Sequence, residues 1–510
     1  MFSVVLRWLL LVLLAGAALW LRTHELARRP MHADEANQAV KLGELLEAGT
    51  YAFDPRDHHG PTLYYAALPL ARLRGERSLA ALSETTVRLV PALAGTAGVL
   101  LLVAFAAVLF RSPANGARDA TGRGGWLAAA PPWRALAAGA FLALSPPSVY
   151  YSRYFIQETL LVTFTLAAAV AGVRWWHTGR TRWLVAAGVA AGLMQATKAS
   201  APLFLLLGLA AAALAAHAAR PVAPRPMRAL ALALGVAALT AALLYSSFGT
   251  HFAGLRDALG AYGHAFSRFG AAAEPTGHEK AWWYYLQLFG WLKTGGLRWH
   301  QAAFSALAVA GLVLAACRRE PGPRGAAAYA LGVIGAFSLF AYKTPWHAVH
   351  FVPPLALLAA HALAGIARLR TGRPVAAAFA LFTLGTLYQQ TGRAAFLRPA
   401  DQRNPWAYVH SSTDVLKFRP LAEATLAAQP PGANRSIRVI SEEYWPLPWY
   451  LRGLPRVGYH LTPPEDCDGA LVIASNGQAD AVRAKLRGHY RETFLGLRPG
   501  FVCILFVAEP

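Results

Sequence analysis

Acidic residues are scarce in this chain, cysteines scarcer still, and nucleotide-binding signatures are missing. Of 510 residues, 26 are Asp or Glu and 3 are Cys. Cys317, Cys467 and Cys503 have no metal-ligand spacing, so no cysteine-based metal centre is indicated. Only Cys467 and Cys503 share the C-terminal region, where a disulfide and two buried thiols both fit the sequence. Neither a P-loop nor an early glycine-rich dinucleotide fingerprint occurs, so no motif for a nucleotide-bound donor is present. Charge of either sign is limited to 15% of the residues and is kept out of long apolar runs.

Apolar residues are abundant, 56% of the chain, and they fall in runs that match the thickness of a hydrocarbon core. Eleven candidate spans result: 4–21, 87–110, 135–150, 155–175, 183–197, 202–216, 229–245, 302–317, 325–340, 348–367 and 375–387. The first resembles a signal peptide in length, but Ala15 and Ala17 form a weak cleavage cue and the remaining topology needs this crossing. The formal net charge of +22 would point to nucleic acid in a soluble chain. Its placement points to a membrane instead. Every second short loop is arginine-rich: Arg111, Arg118, Arg123 and Arg134; Arg174, Arg180 and Arg182; Arg220, Arg225 and Arg228; Arg318, Arg319 and Arg324; Arg368, Arg370 and Arg373. Those sixteen face three cations, Arg153, Lys198 and Lys343, on the loops between. The positive-inside rule places the arginine loops in the cytoplasm, and an odd number of spans places the C-terminus outside.

The expected fold is an all-α polytopic membrane bundle of about eleven transmembrane helices over 1–391, followed by a small extracytoplasmic α/β domain over 392–510. In that domain 436–441, 469–475 and 501–508 read as strands, and 421–428 and 479–486 as helices. The expected setting is the cytoplasmic (inner) membrane, with lipid as partner and no nucleic acid.

Two external segments, 22–86 and 246–301, are too long to be plain connections. The first holds His32-Ala33-Asp34-Glu35-Ala36-Asn37, with 35–46 patterned as a short helix. It continues through Asp54, Asp57, His58, His59, Gly60 and Pro61 into 62–73, an apolar stretch too short to cross and suited to the interface plane. Asp34 and Glu35 fit a plain helix start, Asp34 as N-cap and Glu35 favoured by the dipole. Acids, histidines and a Gly-Pro turn together beside a membrane also fit a site. The second segment carries Trp282, Trp283, Tyr284, Tyr285, Phe289 and Trp291, either an interfacial belt or a sugar platform. On the outer hairpins, Arg153 precedes Glu158 by five residues, Lys198 stands before Pro202, and Lys343 stands before Pro345 and His347. Each cation alone suits a headgroup anchor, yet outer cations run against the inside bias, and three on one bundle could converge on an anionic phosphate.

These residues resemble the GT-C membrane glycosyltransferases, in the branch of protein O-mannosyltransferases and lipid A aminoarabinose transferases. The resemblance rests on Asp34-Glu35, His59-Gly60-Pro61 ahead of an interfacial helix, the Leu144-Ser145-Pro146 to Arg153 and Glu158 segment, Thr197-Lys198, and Lys343 before Val352-Pro353-Pro354. It covers about the first 390 residues. Asp34-Glu35-Ala36, His58-His59-Gly60-Pro61-Thr62 and Lys343-Thr344-Pro345-Trp346 together are most similar to a prokaryotic subfamily described as flippase-activity-associated. His59-Gly60 stands where the aminoarabinose branch has Glu-Lys. The resemblance implies sugar transfer from a polyprenyl-phosphate-linked donor to a lipid, glycan or protein acceptor outside the cytoplasm, with inversion. It implies Asp34 as catalytic base, Glu35 orienting the acceptor or holding a divalent metal if one is used, and substrate binding by His58, His59, Arg153, Glu158, Lys198, Lys343 and His347. No other cofactor is implied. The alternative is a transporter or flippase accessory that binds lipid-linked sugars without catalysis, against which stands the lack of a repeated pair of Gly/Pro-broken spans.

Overall fold

The computed structural model describes residues 2–56, 59–110, 131–216, 226–269, 277–318 and 320–509. Asp57 and His58, and the inner-loop residues Arg111, Arg118, Arg123, Arg220, Arg225 and Arg319, lie outside the described residues.

In chain order the helices are α1 (Phe2–Thr23), α2 (Ala33–Ala48), α3 (Thr62–Leu73), α4 (Glu84–Leu109), α5 (Trp133–Leu144), α6 (Pro146–Tyr151), α7 (Glu158–Thr178), α8 (Thr181–Gln195), α9 (Ala201–Ala216), α10 (Pro226–Tyr245), α11 (Ala253–Phe269) and α12 (Tyr284–Phe289). A hairpin of β1 (Trp291–Thr294) and β2 (Leu297–His300) follows, then α13 (Ala302–Arg318), α14 (Pro321–Leu339), a 3-10 turn (Pro345–His350), α15 (Val352–Ile366) and α16 (Gly372–Gly392). The chain forms two compact units: 1–24, 50–65 and 88–397 in one, and 25–49, 66–87 and 398–510 in the other.

The first unit is the helical bundle. Among the described residues four helices are long and apolar enough to cross a membrane: Val4–Thr23, Glu84–Leu109, Glu158–Thr178 and Met227–Tyr245. Trp133–Leu144, Ala201–Ala215, Ala302–Arg318 and Val352–Ile366 are apolar but shorter. Leu206, Leu209 and Leu214 on α9, Leu234 and Leu239 on α10, and Leu381 and Phe382 on α16 are exposed. Such an apolar exterior is stable only against lipid, and the chain is an integral membrane protein. Inside, helices approach closely where side chains vanish: a Cβ on Gly311 of α13 would fall 1.9 Å from the Leu358 carbonyl oxygen of α15. The run 135–150, expected as one span, is broken. Ser145 is extended, with φ −68 and ψ 130, and Pro146 opens α6. Proline disfavours helical geometry in the residue before it, an effect that a hydropathy profile does not register.

The second unit is built on a sheet of β3 (Ile437–Ile440), β4 (Val457–His460), β5 (Leu471–Ser475), β6 (Tyr490–Arg498) and β7 (Phe501–Ala508), in the order β4-β3-β5-β7-β6. β3 pairs with β4 and β5 in parallel, whereas β7 pairs with β5 and β6 antiparallel. β5 is buried at every position, as its unbroken Leu-Val-Ile-Ala run requires of a central strand. Helices α17 (Val415–Ala428), α18 (Leu447–Tyr450) and α19 (Ala479–Arg483) complete the unit, and Ile440, Val472, Ile504 and Phe506 meet Val482 of α19 in a core. Cys467 and Cys503 are free buried thiols, and burial pushes the Cys503 thiol up to about 12.

Segments 25–49 and 66–87 belong here because polar contacts bind them to the sheet domain and to each other. Trp449 Nε1 donates to Glu84 Oε1 at 2.7 Å, Arg452 donates to the Leu82 carbonyl at 2.9 Å, and the Leu79 amide donates to Glu47 at 2.8 Å.

Candidate functional site

The acidic loop lies in the second unit, where residues 29–35 turn the chain into α2. His32 is the N-cap, not Asp34: its Nδ1 accepts the Asp34 amide at 3.1 Å, and Glu35 accepts the His32 amide at 3.1 Å to close a capping box. Glu35 is fully buried, and each carboxylate oxygen lies 3.0 Å from Arg29 Nη2. Both oxygens are thus engaged inside the loop, away from solvent. Arg29 also reaches His410 Nε2 at 3.4 Å, and the Met31 amide donates to the Tyr450 hydroxyl at 2.8 Å. Asp34 differs from its neighbours. Its side chain is 51% exposed, while Arg29, His32, Glu35 and His410 are all buried. A carboxylate held at a fixed backbone position with an accessible side chain can accept a proton from an incoming hydroxyl.

The expected outer cations and histidines lie in the first unit, and they divide by partner. Arg153 is buried, donates to the Leu21 carbonyl at 3.1 Å and to the His24 carbonyl at 2.5 Å, and lies over the Phe396 ring at 4.6 Å. Those carbonyls are the orphan acceptors at the end of α1, so Arg153 works as a helix staple. Lys343 is 1% exposed and donates to the Phe340 carbonyl at the end of α14 and to the Lys280 carbonyl at 3.1 Å. Burial holds its ammonium below the usual lysine range. Two of the three outer cations thus donate to carbonyls at helix ends, and one lysine differs from them.

That lysine is Lys198, which pairs with Glu158 at the first position of α7. The loop after residue 58 joins it through the backbone: His59 and Lys198 form an antiparallel bridge, and the Gly60 and Thr62 amides donate to the Thr197 and Ala196 carbonyls, each at 3.1 Å. Only glycine fits at position 60, since a Cβ would fall 2.0 Å from the Ala196 carbonyl oxygen. His347 is buried near this strand pair, with Nδ1 at 3.2 Å from the Tyr285 hydroxyl and 3.3 Å from Thr344 Oγ1. Its imidazole is held well below the ordinary histidine range, first by burial and then by the charges of Lys198, His350 and His59. The aromatic run divides as well: Trp282 and Trp283 are exposed, while Tyr285 and Phe289 are buried beside His347 and Phe351.

The crystal structure of ArnT from Cupriavidus metallidurans bound to undecaprenyl phosphate superposes with a TM-score of 0.62, covering 98% of this chain and 99% of that one at 16% identity. The two chains share one fold. The archaeal oligosaccharyltransferase AglB from Archaeoglobus fulgidus, in complex with an inhibitory peptide and a dolichol-phosphate, superposes with a TM-score of 0.57 over 97% of this chain and 73% of that one, at 11% identity. Residues 129–245 match the family described as dolichyl-phosphate-mannose-protein mannosyltransferase. No curated protein sequence matches the chain.

Among the described residues no group of three or more His, Cys, Asp or Glu side chains is arranged to hold a metal ion, and both Glu35 oxygens face Arg29. Sequence reasoning missed Arg29, His410 and Tyr450. It also missed Arg22, fully buried and stapled to the Ala18 and Ala143 carbonyls at 3.2 Å.

Proposed function

We propose that this protein is a membrane glycosyltransferase that moves a sugar from a polyprenyl-phosphate-linked donor to a lipid, glycan or protein acceptor on the extracytoplasmic face. The observation that carries the reading is the Lys198–Glu158 pair, joined by backbone pairing to His59 and set beside His347 inside an apolar bundle. An ammonium has three donors and spends one on Glu158, so it can give others to a phosphate oxygen. Support also comes from the fold, since the ArnT structure holds undecaprenyl phosphate and the AglB structure a dolichol-phosphate.

In this reading an acceptor hydroxyl attacks the anomeric carbon while Asp34 takes its proton. The bond from that carbon to the phosphate oxygen breaks with its electron pair, leaving polyprenyl phosphate and an inverted sugar linkage. Lys198 stabilises the charge that develops on the leaving oxygen, with His59 and His347 as further polar neighbours. The eleven crossings, the inner membrane and an extracytoplasmic C-terminus belong to the same proposal, on the basic asymmetry of the loops. The test is to incubate purified protein with labelled polyprenyl-phosphate sugars and acceptor. Release of polyprenyl phosphate with an inverted product supports transfer; tight donor binding without release identifies a flippase accessory instead.

A further inference from the structure

We infer that His410 and Tyr450, from the C-terminal part of the chain, are positioning residues for Asp34, acting through Arg29 and Glu35; the inference rests on the reading of Asp34 as base. His410 Nδ1 lies 3.1 Å from the Ser411 carbonyl oxygen, which can only accept, so Nδ1 carries the proton and Nε2 offers a lone pair to Arg29 Nη1 at 3.4 Å. Arg29 in turn holds both oxygens of Glu35. Glu35 accepts the His32 amide, and His32 Nδ1 accepts the Asp34 amide. A second anchor enters one residue ahead of the cap, where the Met31 amide meets the Tyr450 hydroxyl.

The burial pattern favours positioning over plain packing. Exposure is 6% at Arg29, 4% at His32, 0% at Glu35 and 1% at His410, and the chain of contacts ends at the one accessible carboxylate. A buried polar network of this kind is costly unless each member is satisfied, and once satisfied it fixes a single geometry. Catalysis by a general base needs that geometry, since a displacement of about 1 Å can cost roughly 100-fold in rate. The sheet domain therefore holds the base in place, and its partners are 381 and 419 residues from the loop they fix.

The experiment measures kcat, KM and affinity for a polyprenyl-phosphate sugar in full-length His410→Leu, His410→Gln and Tyr450→Phe, each alone and with Asp34→Asn. His410→Leu is expected to lower kcat about tenfold or more, with donor affinity within about twofold of wild type. His410→Gln restores an acceptor for Arg29 and should recover most of the loss. In the Asp34→Asn background, His410→Leu should add nothing to the residual single-turnover rate, because both changes act through one group. Unchanged kcat in His410→Leu overturns the inference, and so does an equal further loss in the Asp34→Asn background. Should His410→Leu fail to fold, Tyr450→Phe removes a single oxygen and carries the same test. Arg483→Ala, on the exposed side of the sheet domain, is the control that should leave kcat unchanged. Near-normal turnover by Asp34→Asn sinks the reading of Asp34 as base, whereas an inactive Asp34→Asn beside a normal His410→Leu sinks this inference alone.

Discussion

Lys198, Arg153 and Lys343 look alike in the sequence, each a single cation on an outer hairpin, and differ in what they touch. Arg153 and Lys343 donate to carbonyls at helix ends, whereas Lys198 faces a carboxylate. Arg153→Ala and Lys343→Ala are thus expected to lower the melting temperature in detergent and to leave affinity for polyprenyl phosphate unchanged. Lys198→Ala should weaken that affinity about tenfold or more, which corresponds to roughly 1.4 kcal/mol. It also leaves Glu158 buried without its partner, a loss of about 3 to 5 kcal/mol in typical buried pairs. Adding Glu158→Gln separates the effects: stability should return and phosphate affinity should not. Isothermal titration beside thermal melting checks both. The sequence made the three cations conspicuous because outer cations oppose the inside bias, but spacing along a chain does not say which acceptor a long side chain finds. Arg29 and His410 were invisible for a related reason: they meet across 381 residues, and no local pattern encodes such a pair.

Elements were legible where hydropathy and capping agree. The stretch 62–73 forms α3 as expected, and the expected helix at 35–46 is α2, which ends at Gly49 in a left-handed conformation with φ 72. Edge strands were harder to see. β6, Tyr-Arg-Glu-Thr-Phe-Leu-Gly-Leu-Arg, carries charge on an exposed flank and has no apolar run, and β4 is only four residues long. At this scale two predictions follow from burial and backbone. Gly60→Ala should break the pairing of 60–62 with 196–198 and lower both melting temperature and phosphate affinity, because the new methyl would overlap the Ala196 carbonyl. Unchanged values for both would contradict the pairing. His347 and His410 are buried neutral, each with its folded pKa well below the ordinary 6.5. Their contribution to stability is complete above about pH 6.5 and is lost as the pH falls, because the unfolded chain takes up protons that the folded chain refuses. Melting temperatures should therefore drop between about pH 7 and pH 5, and His410→Gln should flatten that drop.

For the whole molecule, the arrangement of apolar runs was enough to expect a membrane bundle with a sheet-containing C-terminal part, since lipid allows few solutions for a chain of this composition. The membership of 25–49 and 66–87 in the sheet unit was not legible, because it depends on single polar contacts such as Trp449 to Glu84. An extracytoplasmic C-terminus predicts that a reporter fused after Pro510 is active only outside the cytoplasm, and cytoplasmic activity would reverse the topology. The central claim is that sugar leaves a polyprenyl-phosphate carrier with Asp34 as base. It is tested most directly by the single-turnover release of polyprenyl phosphate from saturating labelled donor, in wild type and in Asp34→Asn. The account predicts release by wild type and a rate about 100-fold or more lower in Asp34→Asn with donor binding retained; no release by wild type, or equal rates in the two, would contradict it.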